Sequence, residues 1–155
     1  GGHSSIGPLS TVYILDTTTL TWSQGSDMPA PAQVPASAVY GGEIYIFPLN
    51  HKYNPATDSW TPFTGAASEH GYASEAVTAE NEIYLIGGSP GSIYQAYEMT
   101  EIYDPLSDSW RTVEDLDIGR YQFGAVYLDG KIYSIGGRNG NAGAEDSVEV
   151  LIVSP

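Results

Sequence analysis

A chain of 155 residues with 41% hydrophobic and 12% aromatic residues is long enough for one domain with a real core. Its net charge of −14, from 19 acids against 5 bases, predicts a surface that repels phosphate backbones and anionic membranes, so nucleic acid is excluded as a natural partner. The absence of cysteine removes disulfides, thiolate metal sites and cysteine nucleophiles.

No apolar run approaches the roughly 20 residues of a membrane span. The first residues carry neither a basic head nor an apolar stretch. The expectation is a soluble chain without membrane insertion, and scarce lysine with high acidity points to an extracellular or cell-surface setting. The start on Gly-Gly rather than Met suggests a natural protein that extends upstream or was processed.

In chain order, residues 1–10 read as a loop because small and turn-forming residues dominate. Residues 11–15 and 20–23 read as a hairpin, and the proline-rich stretch 25–35 as a crossing loop. Residues 36–40 and 43–47 flank Gly41-Gly42, a tight hairpin signal. Comparable hairpins join Val77 to Ile83 and Val126 to Ile132, and the first of the three turns reads as one residue shorter. Helical periodicity is absent.

Two phrases repeat. Glu43-Ile-Tyr-Ile-Phe47 returns as Glu82-Ile-Tyr-Leu-Ile-Gly-Gly88 and Lys131-Ile-Tyr-Ser-Ile-Gly-Gly137. A bulky residue, then Asp or Asn, leads to a Trp seven positions later in Leu15 to Trp22, Tyr53 to Trp60 and Tyr103 to Trp110. Counted from the double glycine or its equivalent, copies begin at residues 1, 48, 87 and 136. Spacings of 47, 39 and 49 residues with four short strands each are the signature of propeller blades.

These residues resemble the kelch motif, most closely at Ile83 to Trp110, where Gly87-Gly88, Tyr103, Asp104-Pro105 and Trp110 are all present. Other copies depart from it: Pro48-Leu49 stands for the double glycine, Leu15 for Tyr, and Leu151-Ile152 for Tyr-Asp. The resemblance implies an all-β fold of kelch-type β-propeller blades, each of four antiparallel strands. With strands named a to d, the chain reads as c-d over residues 1–35, complete blades over 36–70 and 71–119, and a-b-c over 120–155, thirteen strands in all. About four to eight blades close a ring. The fold is therefore incomplete as a monomer: either it is about half of a longer chain, or a homodimer completes a propeller. The tryptophans are expected to pack between blades.

In kelch propellers the b-c and d-a loops share a face, and the resemblance implies that partners bind there. The candidates from the b-c loops are His3, Tyr94, Gln95, Tyr97, Arg138, Asn139 and Asn141; those from the d-a loops are His70, Tyr72, Arg120 and Tyr121. Arg120 stands where kelch repeats often point an arginine toward the channel, with Gln33 and Gly71 as its counterparts. Glu75, aligned with Ser37 and Gly124, is the one strand-a carboxylate placed to face the channel with a perturbed pKa.

His3, His51 and His70 lack metal-ligand spacing, and the oxygen-rich stretch 139–146 lacks the order of a calcium loop and reads as turn chemistry. No metal or cofactor is expected. The leading function is binding: a rigid scaffold presenting loops to a protein or glycan partner. Two alternatives stand beside it, a carbohydrate-active enzyme using Arg120 and Glu75, and a purely architectural half-propeller. A copper oxidase of the galactose-oxidase kind is disfavoured because its site needs a cysteine, and no residues matching a sialic-acid mutarotase can be identified. Fold alone does not establish activity.

Overall fold

The computed structural model describes residues 1–91, 95–140 and 143–153, and those residues form fifteen strands and no helix. β3 (Val12–Asp16) and β4 (Thr21–Gly25) make a two-stranded sheet. β5 (Ala36–Tyr40), β6 (Glu43–Phe47), β7 (His51–Asn54) and β8 (Ser59–Pro62) make a four-stranded meander. A second meander contains β9 (Glu75–Ala79), β10 (Glu82–Ile86), β11 (Thr100–Asp104) and β12 (Ser109–Thr112). β13 (Gly124–Leu128), β14 (Lys131–Ile135) and β15 (Val148–Ile152) form a three-stranded sheet. All neighbours are antiparallel, and the c-d, a-b-c-d, a-b-c-d, a-b-c order is as the sequence predicts.

Three expectations are corrected. The N-terminal stretch is not a loop throughout: β1 (Gly2–Ser4) pairs with β2 (Gly7–Leu9). Ser4 Oγ donates to Gly7 O and accepts from Ile6 N, so side-chain bonds close a turn that apolar patterning could not reveal. The first a-b turn is not shorter, since Tyr40 pairs with Glu43, Ala79 with Glu82 and Leu128 with Lys131, two residues intervening each time. That register makes Ala36, rather than Ser37, the counterpart of Glu75 and Gly124.

The third correction concerns Trp22, which is exposed, whereas Trp60 and Trp110 are half-buried. Trp60 and Trp110 each donate Nε1–H to a carbonyl of the preceding unit, Ser26 O and Thr64 O, and no preceding unit stands against Trp22 among the described residues.

Side chains alternate between the faces of each sheet, and the apolar ones interlock sheet with sheet. One cluster sets Ala36, Ala38, Tyr45 and Phe47 against Ala76, Ile83, Leu85 and Tyr103. The next sets Val77, Ala79, Tyr84 and Ile86 against Phe123, Ile132 and Val153. The a strands β5 and β13 both pack beside β9, so the sheets fan from a common inner edge.

The repeated Tyr-to-Trp phrase clamps successive units. Tyr53 Oη donates to Asp58 Oδ1 over 2.6 Å, the same oxygen accepts Ser26 N at 2.7 Å, and Trp60 Nε1 donates to Ser26 O at 3.0 Å. One unit later Tyr103 and Trp110 repeat the pattern through Asp108 and Thr64. Ring centroids lie 5.0 Å apart in both Tyr–Trp pairs. Asp58 and Asp108 hold φ near +50°, a region aspartate tolerates better than most residues; Leu20, at the same place in the β3–β4 turn, shares the backbone but has no carboxylate.

Candidate docking face

The d-a connections and b-c loops are laced together by backbone. Gly88 N donates to Arg120 O at 2.8 Å, Tyr97 N to Gly88 O at 2.8 Å and Arg120 N to Tyr97 O at 3.1 Å. Tyr121 and Arg138 exchange two backbone bonds, tying in the last b-c loop. Such close approach needs glycine: a Cβ on Gly88 would lie 1.9 Å from His70 O.

The side chains below these loops are structural. His70 and Glu101 are both buried, with His70 Nε2 3.1 Å from Glu101 Oε2 and Nδ1 3.0 Å from Gly87 O. Burial holds the His70 pKa below the ordinary imidazole value, against the opposing pull of Gly87 O and Glu101. Glu101 Oε2 also accepts Ser68 N.

Arg120 is wholly buried and does the same work one unit later. Its guanidinium donates to Gly136 O at 3.1 Å, Ser147 O at 3.2 Å and Ser147 Oγ at 3.0 Å, and pairs with Glu149. Glu149 in turn accepts the Asp117 and Ile118 amides. The cation thus points between sheets, onto the first glycine of the double glycine. In the β5–β8 sheet, His51 takes the place of Glu101 and Glu149, since it pairs with Ile46 as they pair with Leu85 and Ser134.

Above this layer, Gln95, Ala96 and Glu98, the turn Asp117 to Gly119, and Asn139 with Gly140 surround an open cavity of about 350 Å³. A second cleft of about 330 Å³ lies at the equivalent place one unit earlier, between Pro48 and Asn50 on one side and Ser68 to Gly71 on the other. The first carries two exposed acids, Glu98 and Asp117, and the second one, Glu69, while Arg138 is an exposed cation next to Asn139.

Of the predicted site residues, Gln95, Asn139, Tyr97, Tyr72 and Arg138 stand in these loops with exposed or half-buried side chains. Tyr121 is buried, and His3 is exposed on β1. Tyr94 and Asn141 lie outside the described residues. Glu75 is half-buried on the same face of β9 as Val77 and Ala79, so it stands on the side turned to the next sheet; burial raises its pKa. The loop after β14 is held by its own bonds, Asn139 Nδ2 to Glu145 Oε2 and Ser147 N to Glu145 Oε1. Among the described residues no group of three His, Cys, Asp or Glu could hold a metal ion, and no helix is long and apolar enough to cross a membrane.

Sequence reasoning missed Glu101, Glu149, Asp58 and Asp108. A signal existed: a Glu two positions before Tyr103 and Leu151, and an Asp two positions before Trp60 and Trp110. The aromatic periodicity overshadowed both.

Four-stranded meanders fanned from an inner edge, clamped by Tyr, Asp and Trp and stepped by double glycines, define blades of a propeller. The kelch motif profile matches residues 1–29, 70–116 and 119–153, more than half of the sequence, and the chain belongs to the kelch-repeat family. The unmatched stretch, 30–69, holds the sheet in which Pro48-Leu49 replaces the double glycine and His51 the glutamate.

Among curated proteins it is similar to Kelch-like protein 26 of Danio rerio, 28% identical over 151 residues, 90% of this chain and 25% of that protein. Kelch-like protein 35 of Mus musculus is 28% identical over 158 residues, 96% of this chain and 26% of that protein. Kelch-like protein 23 of Homo sapiens is 35% identical over 86 residues, 55% and 14% respectively. The chain spans about a quarter of the length of the first two relatives.

Proposed function

We propose that the chain is a protein-interaction module that receives its partner on the face made by the b-c and d-a loops. The observation that carries this reading is the convergence of Gln95 to Glu98, Asp117 to Gly119 and Asn139 on one open cavity of about 350 Å³. The layer beneath is locked by Arg120, Glu149, His70 and Glu101, so the loops are presented by a preorganised base, which lowers the ordering cost of binding. The exposed Glu98 and Asp117 on the rim of that cavity favour a partner segment rich in Lys and Arg.

Selection of binders from a random peptide library tests the reading. Selected peptides should be basic, and Glu98→Lys with Asp117→Lys should weaken them at least tenfold. Peptides indifferent to that double variant would place the function elsewhere.

A glycan partner rests on the half-buried Tyr72 and Tyr97, whose rings could stack on sugars. The same double charge reversal should leave such binding nearly unchanged, while Tyr97→Ala should remove it.

A further inference from the structure

The β6–β7 connection is only residues 48–50, whereas the corresponding β10–β11 connection runs over residues 87–99. The longer loop lies on the turn that follows its own sheet: Leu116 N donates to Glu98 O at 2.8 Å, Arg120 N donates to Tyr97 O at 3.1 Å, and a Cβ on Gly119 would lie 2.8 Å from Ala96 O. Counted from Trp60 and Trp110, Ala66 matches Leu116, Glu69 matches Gly119 and His70 matches Arg120. Ser68 and Ile118 keep the same count, and their amides donate to the matching strand-c glutamates, Glu101 and Glu149. In the earlier unit the short turn does not reach so far, and the Ala66 and His70 amides have no acceptor among the described residues. They border the cleft of about 330 Å³, which has Leu85 with Pro48 and Ala66 as its apolar wall and Glu69 as its exposed charge.

The geometry points to this cleft as the site for a linear segment of a partner protein, which takes the position that residues 96–98 take one unit later. Two successive main-chain carbonyls of the segment accept the Ala66 and His70 amides, as Glu98 O and Tyr97 O accept those of Leu116 and Arg120. A large apolar side chain packs on Pro48, Ala66 and Leu85, and a neighbouring Lys or Arg meets Glu69. Main-chain bonds supply affinity, and the apolar wall selects the anchor. The site rests on the reading of the b-c and d-a loops as a protein-docking face, and is separate from the cavity bounded by Glu98 and Asp117. Pro48 to Glu69 fall in the stretch that the kelch profile does not match, so the cleft belongs to this chain's departure from the repeat.

The test selects binders from a random peptide library on protein carrying Glu98→Lys and Asp117→Lys, so that the other cavity does not contribute. Selected peptides should pair a large apolar residue with Lys or Arg. When nitrogen-15-labelled protein is titrated with one such synthetic peptide, the Ala66 and His70 amide protons should show the largest saturable shifts, moving downfield as their bonds form. Ala66→Trp, which fills the cleft, should abolish binding while far-UV circular dichroism is kept. Glu69→Lys, at an exposed position, should weaken binding at least about fivefold, and it decides the matter if Ala66→Trp fails to fold. Absence of binders, or shifts confined to Asp117–Gly119 and Asn139, would overturn the assignment. So would self-association that Ala66→Trp removes, because a second copy would then be the occupant. Each of these results leaves the cavity beside Glu98 and Asp117 to its own test, since the selection was made without those acids.

Discussion

Tyr103 Oη donates to Asp108 Oδ1 over 2.6 Å, and Asp108 also accepts both the amide and the hydroxyl of Thr64 from the preceding connection. One carboxylate thus joins a strand to the unit before it. The bond from Tyr103, then that from Thr64, holds the Asp108 pKa below the ordinary value. The contribution is complete above the unfolded carboxylate pKa of about 3.9 and is lost as pH falls through the lower folded value. Asp108→Asn should lower the thermal midpoint at pH 7 by a few degrees, about 2–4 °C per kcal/mol at this size. The deficit should shrink toward pH 3, as scanning calorimetry across that range would show.

Arg120 is buried against Glu149 and three backbone carbonyls, those of Ile118, Gly136 and Ser147. Its truncation leaves a partly buried carboxylate without its cation, a loss of about 3–5 kcal/mol. Urea unfolding of Arg120→Ala should show it, and Arg120→Ala combined with Glu149→Gln should recover part. Equal stability of the single and double variants would mean that the charge pair is not the source.

Glycines at positive φ separate into two kinds. Gly88 at φ 111° has no room for a Cβ, whereas Gly91 at φ 88° has nothing within 4 Å. Gly88→Ala should cost about 3 kcal/mol or more, since backbone must move. Gly91→Ala should cost only the conformational term, about 1–2 kcal/mol. Denaturant midpoints of the two variants give the comparison.

Glu75 has no hydrogen bond or ion pair among the described residues, and burial raises its pKa. A raised carboxylate pKa means that ionisation opposes folding. The penalty is absent below the unfolded value near 4.3 and grows as pH rises through the folded value. Glu75→Gln should therefore stabilise the protein at pH 7 and have little effect at pH 4, as thermal midpoints at both values would show. Equal midpoints at pH 7 would mean that water reaches the carboxylate freely.

By itself the sequence determined the strand order, the blade period and the kelch family, because alternation, paired glycines and the Tyr-to-Trp spacing are local and repeated. It also placed Gln95, Tyr97, Arg138 and Asn139 in loops between strands. Only the tertiary structure decided what the charged residues do. His70 and Arg120 reach equivalent acceptors, Gly87 O with Glu101 and Gly136 O with Glu149, yet β9 begins five residues after His70 and β13 four after Arg120. Alignment by position therefore sets Arg120 against Gly71 and hides the match. A long side chain can enter the same space from a neighbouring backbone position, so contacts between sheets are fixed by packing in three dimensions and not by spacing along the chain.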